Sequence, residues 1–500
     1  MFKRFKYFRK NYILLFVIFL TGAAVLVVEV TATRILSVYF GNTIFTVSSV
    51  LSVILLALSL GYYLGGRLAD KRPSELLFFQ LIALSGLSVF LLQFLNSMFI
   101  PMLSTTLDMQ YGPIIVSLIL FLLPGFLLGM LSPLVAKLQT IRMGADEVGR
   151  ITGDVFFWST LGSIIGSLAT GFVLIPLFGV TEIILGTGVL LLIIGSIGMA
   201  KIQKNRLQTV KLLTLIITIS FIQICLSFLA DKQLRENVVY ANDGLYDNIV
   251  IFDGMLENRP TRFLQQSTDA SSAMYKDSTE LVYEYTKYYR LYTLTKPDIT
   301  RAMVIGGGAY SIPKDLLLTD KDVIVDVAEI EPEMYELAKD YFNVPNDNRL
   351  VNYVGDGRRF LQESDQSYDL IFGDAYHTTI PSHLTTQEFL RLTKSKLTKD
   401  GVFIMNAIGR LQEERPSYLL SQIKTFISVY PNTMILAVHD KAYTGPQNII
   451  LAGFNSEKPI NPGTFADKVI EVGEFDLESH ALFTDNYAPV EYFTVVNKLR

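Results

Sequence analysis

The hydrophobic pattern changes character near residue 230. Before that point long apolar runs alternate with short charged joints. Each run reaches the roughly 20 residues a helix needs to cross a bilayer, where lipid offers backbone groups no other partner. The pattern predicts about seven spans, at 12–33, 43–65, 76–98, 113–136, 154–175, 180–200 and 210–230. The first begins like a signal peptide, with Lys3, Arg4, Arg9 and Lys10 ahead of it. Its apolar run outlasts the roughly 7–15 residues of a signal core, so it reads as a retained helix. Beyond 230 the runs shorten. A polar linker is expected at 231–240. Strand-like runs at 248–252 and 262–264 follow, with Asp253-Gly254 as the turn between them and a polar stretch at 265–272. The stretch 283–292, rich in tyrosine, predicts an amphipathic helix packed on a sheet. From 302 onward strands at 302–305, 323–330, 350–354, 368–372 and 402–405 alternate with helical patterns at 333–341, 357–363 and 386–397. Runs at 433–438 and 449–451 add further strands. Such alternation predicts a doubly wound sheet that binds ligands at the carboxyl ends of its strands. The expected architecture is a polytopic α-helical membrane domain at 1–230. The linker and a small β and tyrosine-rich region at 241–300 follow, and then a Rossmann-like α/β domain at 301–500.

Charge sharpens this division. Residues 1–230 hold 16 Lys and Arg against 8 Asp and Glu; the rest of the chain holds 27 against 39. Overall 50% of residues are hydrophobic and 18% charged, against roughly 25% charged in ordinary globular domains. A wholly soluble enzyme, a disordered chain and a basic nucleic-acid binder are excluded. The single cysteine, Cys225, excludes a disulfide framework or a cysteine-built metal site. Positive residues occupy alternate joints: the N-terminal tail, then Arg67, Lys71 and Arg72, then Lys137, Arg142 and Arg150, then Lys201, Lys204, Arg206 and Lys211. The intervening joints near 35–42, 99–112 and 176–179 carry none, with Arg34 at the edge of the first. The positive-inside rule makes the N-terminus cytoplasmic, and seven spans then place the C-terminal domain outside. An expected cell-membrane protein of this kind has the bilayer as its first partner.

Three features of the membrane half stand out. Glu29 and Arg34 are intramembrane or interfacial charges, which often mark function. Gly162, Gly166 and Thr170 recur at four-residue spacing, as small residues do where helices pack closely. The run Gly61-Tyr-Tyr-Leu-Gly65-Gly66-Arg67-Leu-Ala-Asp70-Lys71-Arg72 resembles the cytoplasmic loop signature of major facilitator transporters, although the spans are too few for a complete transporter of that kind.

Candidate chemistry sits at the predicted strand ends. Gly306-Gly307-Gly308 follows the first, and glycines there allow a tight turn and close ligand approach. This is not a P-loop, since no Gly-Lys-Ser/Thr follows, nor a full G-x-G-x-x-G, since Ser311 takes the last place. Glu329 ends the second strand, where an acid can accept hydrogen bonds from a ribose diol. Gly355-Asp356-Gly357 follows the third, and Gly373-Asp374-Ala375-Tyr376-His377 the fourth. Four polar strand ends in register on one sheet point to an adenosyl ligand. A metal held by Asp374, His377 and His383 is possible in principle, but no second cluster supports it, and none is expected.

Taken with Ala328-Glu329-Ile330-Glu331 and Tyr368-Asp369-Leu-Ile-Phe-Gly373-Asp374, these motifs resemble the spermidine synthase (polyamine aminopropyltransferase) family over about 240–500. Ile380-Pro381-Ser-His383-Leu384-Thr385-Thr386, Thr484-Asp485-Asn486-Tyr487-Ala488-Pro489 and the membrane half resemble its multi-pass fused members. The resemblance implies that Glu329 holds ribose hydroxyls and that Asp356, with Gly357, faces adenine. It places Gly306, Gly307 and Gly308 under the thioether, with Asp374 as the carboxylate that steers or deprotonates an amine. Tyr283 and Tyr376 would face that substrate. The implied co-substrate is decarboxylated S-adenosylmethionine or S-adenosylmethionine, with a small-molecule amine or other acceptor, and a homodimer is one candidate assembly.

Departures from the family pattern fall on its amine side. Ala309 stands where the family has an aspartate for the donor's ammonium, no second acid follows Asp374 within a few residues, and Asp247 replaces a glutamine. Buried ammonium groups need such partners. Three functions therefore compete: aminopropyl transfer, methyl transfer from S-adenosylmethionine, and a binding or transport-coupled module without catalysis.

Overall fold

The computed structural model describes residues 2–104, 106–108, 110–202, 214, 218, 237–266, 269–375, 380–411 and 417–493. The chain divides into two compact units, Met1–Glu236 and Asn237–Arg500.

Among the described residues of the first unit, six helices are long and apolar enough to cross a membrane: Tyr12–Phe40, Ile44–Lys71, Glu75–Met98, Gly112–Met143, Ala145–Leu177 and Val180–Ile202. They coincide with the first six expected spans. The seventh, at 210–230, lies outside the described residues apart from 214 and 218. The small residues act as the spacing predicts. A Cβ on Gly162 would collide with the carbonyl of Phe19, one on Gly166 with that of Ala23, and one on Gly22 with that of Ser159. The first and fifth spans thus meet backbone to backbone, and Ser163 Oγ donates to the Gly22 carbonyl at 3.0 Å. The Gly61–Arg72 run is not a loop. Its backbone stays helical to Lys71, because Gly61 and Gly65 press against Phe126, Gly129 and Met130 of the fourth span. Arg67 lies over the Tyr63 ring at 4.1 Å. Charged ends fasten these helices together, with Lys137 on Asp70 at 2.7 Å and Arg142 on Glu75.

The second unit opens with a four-stranded antiparallel sheet in the order β1-β2-β3-β4, formed by Val238–Asp243, Asn248–Leu256, Arg259–Gln266 and Asp269–Tyr275. The expected linker therefore ends in strand from Val238. The expected turn at Asp253-Gly254 is also strand. Asp253 pairs across the ladder with Arg262, whose Nε and Nη2 donate to it at 2.7 and 3.0 Å, and Lys276 adds a third bond at 2.8 Å. The turn falls instead on Glu257 and Asn258, both at positive φ (49° and 63°), as a two-residue hairpin loop requires. The tyrosine stretch forms a 3₁₀ helix, Glu284–Leu294, rather than an α-helix, with Tyr288, Tyr289 and Tyr292 turned inward. Tyr289 donates to Asp315, and Arg290 reaches the same carboxylate at 2.8 Å.

The main sheet has seven strands in the order β10-β11-β9-β8-β5-β6-β7. These are β5 (Arg301–Ile305), β6 (Ile324–Glu329), β7 (Leu350–Val354), β8 (Tyr368–Gly373), β9 (Leu397–Gly409), β10 (Thr433–Ala437) and β11 (Gln447–Phe454). Strands β5 to β9 are parallel, and β10 and β11 run antiparallel at one edge. Period-2 alternation sends Ala302, Val304, Leu370 and Phe372 to one core face, and Met303, Ile305, Ile371 and Phe403 to the other. Strand order reverses between β5 and β8, so the crevice beyond their carboxyl ends is the expected ligand position.

Candidate functional site

The reversal point is built from close backbone contact. Asp374 N donates to the Ile305 carbonyl at 2.9 Å. Gly306 sits at φ 90°, and a Cβ there would lie 2.7 Å from the Asp374 carbonyl oxygen. Only glycine meets both conditions. Gly308, at φ 50°, likewise faces Ser272 Oγ of β4, which accepts from Ala309 N at 3.2 Å. The small sheet therefore closes over the loop. Tyr310 leaves the loop in the left-handed region (φ 54°) and donates to Asn352 Oδ1 at 2.6 Å.

Glu329 anchors the loop from below. It is 5% exposed. Its Oε2 accepts from Gly307 N at 2.6 Å and Gly308 N at 3.2 Å, and its Oε1 from Glu331 N at 2.9 Å. A carboxylate offers about four acceptor sites, so roughly one remains for a hydroxyl. Glu331 does a different job. Its two oxygens accept from Leu245 N and Tyr246 N at 2.8 Å each, tying the β1–β2 hairpin to the end of β6. Burial pushes its carboxyl up, against these backbone bonds.

Asp374 lines a cleft with Tyr283, Tyr285, Ser272, Gly306 and Gly307. Tyr285 donates to its Oδ2 at 3.0 Å, and Asn406 Nδ2 to its Oδ1 at 3.3 Å; Asn448 in turn donates to Asn406 at 2.9 Å. Burial pushes the carboxyl up to about 7, although the bonds from Asn406 and Tyr285 pull it down. Burial and the Asp374 charge also push the Tyr285 hydroxyl well above its usual range. The Tyr283 ring stacks on Tyr285 with centroids 6.2 Å apart, and its hydroxyl turns to the Ala270 carbonyl.

Asp356 and Gly357 lie at the end of β7. Asp356 caps the helix Gly357–Glu363 by accepting from Arg359 N at 2.9 Å. Gly357 lets that helix approach Ile305, whose Cγ2 a Cβ would strike. His383 Nε2 pairs with Asp356 Oδ2 at 2.7 Å. Burial raises the Asp356 carboxyl, but His383 and the Arg359 N–H outweigh it, and its pKa lies below the usual carboxylate value. His383 thus reaches Asp356, not Asp374, and among the described residues no three His, Cys, Asp or Glu side chains gather as a metal set. Neighbouring Arg358 holds Asp485 through two bonds of 2.7 and 2.6 Å, which fastens the Thr484–Pro489 segment to the same corner.

The fold therefore brings Gly306, Gly307, Gly308, Glu329, Asp374 and Tyr283 around one loop, with Asp356 and Gly357 beyond the next strand. Tyr376, expected to face substrate, lies outside the described residues, as does His377. Sequence reasoning passed over Tyr285, Asn406 and Ser272. Asn406 carried a usable signal as a lone polar residue in an apolar strand. For Tyr285 the signal was ambiguous, because either tyrosine of the pair could have faced the acid.

A mostly parallel sheet with a glycine loop, an acid ending the second strand and polar residues at the reversal point defines a Rossmann-like fold. Residues 290–452 match the Spermine/spermidine synthase domain family, so the C-terminal half of this chain carries such a domain behind six long apolar helices. The polyamine aminopropyltransferase of Vibrio vulnificus is 26% identical over 35% of this chain and 60% of its own length. That of Streptococcus pneumoniae serotype 4 is 27% identical over 43% and 73%. The chain thus spans less than two thirds of the first of these relatives. Among solved structures, a probable spermidine synthase from Corynebacterium glutamicum aligns at 20% identity over 45% of this chain and 82% of its own, with TM-score 0.39. Human methyltransferase-like protein 13 aligns at 23% over 43% and 93%, with TM-score 0.30.

Proposed function

We propose that the C-terminal unit transfers an alkyl group from an adenosyl sulfonium to an amine. One observation carries this reading. The buried aspartates elsewhere in the unit have cationic partners: Asp326 has Arg301, Asp369 has Lys296 and Asp315 has Arg290. Among the described residues, the hydrogen-bond partners of Asp374, beside the glycine loop, are the neutral donors Tyr285 and Asn406. A desolvated carboxylate so placed suits an incoming ammonium and can then take its proton. The sulfonium supplies an electrophilic carbon. Glu329 and the glycine loop hold the nucleoside, Asp356 stands toward the base, and Asp374 frees the nitrogen lone pair.

The names of the relatives and the family resemblance make aminopropyl the first reading for the group transferred, with decarboxylated S-adenosylmethionine as donor. A second reading, methyl transfer from S-adenosylmethionine, is favoured by Ala309. It is 1% exposed and packed in the core, and the described cleft lining offers a donor ammonium no acid beyond Asp374. The expected result is that S-adenosylmethionine binds at least as tightly as its decarboxylated form in calorimetric titration of the full chain. A preference of about a hundredfold, some 2.7 kcal/mol, for the decarboxylated donor would restore the aminopropyl reading.

The acid limb of the rate profile should fall near pH 7, since Asp374 accepts a proton only when ionised. Tyr285→Phe removes a bond that pulls its pKa down, so the acid limb should move to higher pH. An unmoved limb, measured from kcat/KM against pH, would remove Asp374 as the titrating base.

We further propose that the positive joints face the cytoplasm, as the alternation of charge implies. In a Cys225→Ala background, single cysteines at Ser74, Thr106 and Ser456 test this. Thr106→Cys should react with an impermeant reagent on intact cells and Ser74→Cys should not. The Ser456→Cys result reports the side of the C-terminal unit, with labelling expected if 210–230 spans.

A further inference from the structure

We infer that the acceptor at this site is a monoamine, with one cationic nitrogen on an otherwise uncharged body, rather than a diamine or longer polyamine. The inference rests on the transfer reading above and names its substrate class. The described residues lining the cleft include a single charged side chain, Asp374; the others are aromatic, hydroxylated or apolar, among them Tyr283, Tyr285, Ser272, Thr286 and Ser311. The chain following Asp374, Ala-Tyr-His-Thr-Thr-Ile-Pro-Ser-His-Leu-Thr-Thr-Gln, adds no acid before Glu388. Glu388 is itself engaged far along that segment, accepting from Asp485 N at 3.0 Å. Two carboxylates near the glycine loop are engaged by backbone donors. Glu329 takes three backbone N–H groups and Glu331 holds Leu245 and Tyr246.

A diamine at neutral pH carries two ammonium groups. One can meet Asp374, but the second would be desolvated without a counter-charge, which is costly. A monoamine has no such penalty. Tyr283 and Tyr285, stacked on each other, add aromatic rings to the lining of the cleft, which suits a cationic nitrogen on an apolar body. The reaction balances without further reagents. The ammonium gives a proton to Asp374, and the freed nitrogen lone pair forms a bond to the carbon beside the sulfonium. The carbon–sulfur bond breaks with its electron pair going to sulfur, which leaves a neutral adenosyl thioether.

The test is a matched pair of acceptors, 1,4-diaminobutane and n-pentylamine, which differ by an ammonium in place of a methyl at one end. Each is assayed with the full chain in detergent and with each donor, S-adenosylmethionine and its decarboxylated form. Thioether release is read together with the mass of the alkylated amine. The expected result is a kcat/KM at least about tenfold higher for n-pentylamine, the discrimination that about 1.4 kcal/mol gives. Equal use of the two, or preference for the diamine, overturns the monoamine inference while leaving transfer intact. Donor binding without alkylation of either amine overturns the transfer reading and this inference together.

Discussion

Asp374→Asn should lower turnover by about 10²- to 10⁴-fold, the usual contribution of a positioned general base. The substitution keeps the side chain's size and one carbonyl oxygen, so the bonds around Asn406 and Tyr285 can be largely preserved. What is lost is the capacity to take a proton from the acceptor. Donor binding, which depends on the loop and Glu329, should change by less than about threefold, under 1 kcal/mol. A drop in donor affinity as large as the drop in turnover would mean that Asp374 shapes the nucleoside pocket instead of serving the nucleophile. The same comparison in Tyr285→Phe should show a milder effect confined to the acid limb, because Tyr285 acts through Asp374.

The second large effect is expected at Glu329. Glu329→Ala should weaken methylthioadenosine binding by more than about tenfold, since a hydrogen bond to a charged group contributes about 1.5–3 kcal/mol. Two losses combine. The ribose loses its acceptor, and Gly307 N, Gly308 N and Glu331 N lose the carboxylate that holds the loop in shape. Glu329→Gln separates them, because its carbonyl oxygen can still accept from the loop while the charge is gone. An intermediate affinity is expected for it. Wild-type affinity in Glu329→Ala would remove this end of β6 from the binding site.

The strand ends were readable from residues alone because a polar group at the end of a buried parallel strand has few structural reasons to be there. Gly306, Glu329, Asp356 and Asp374 all showed this contrast, and the fold sets them in register along β5 to β8. The first six spans were equally plain, since about 20 apolar residues have no other common use. Local contests were harder to read. Asp253-Gly254 has turn chemistry, yet two cross-strand cations hold Asp253 in β2. Gly61 and Gly65 looked like loop residues and are helix contacts, because the pressure on them comes from a span some 60 residues later in the chain. The partner of His383 was likewise invisible: Asp356 is 27 positions earlier, and only the sheet brings the two together. Tyr283 is the extended residue that caps the 3₁₀ helix and Tyr285 lies in its first turn, a distinction that spacing does not carry.

We propose that an adenosyl ligand lies across the carboxyl ends of β5, β6, β7 and β8. Hydrogen–deuterium exchange of the full chain in detergent, with and without saturating methylthioadenosine, tests it most directly. Slower exchange is expected in peptides spanning 306–311, 329–331 and 355–358, with no change across the membrane helices. Ligand binding that leaves these three segments unprotected, or that protects only the membrane half, would contradict it.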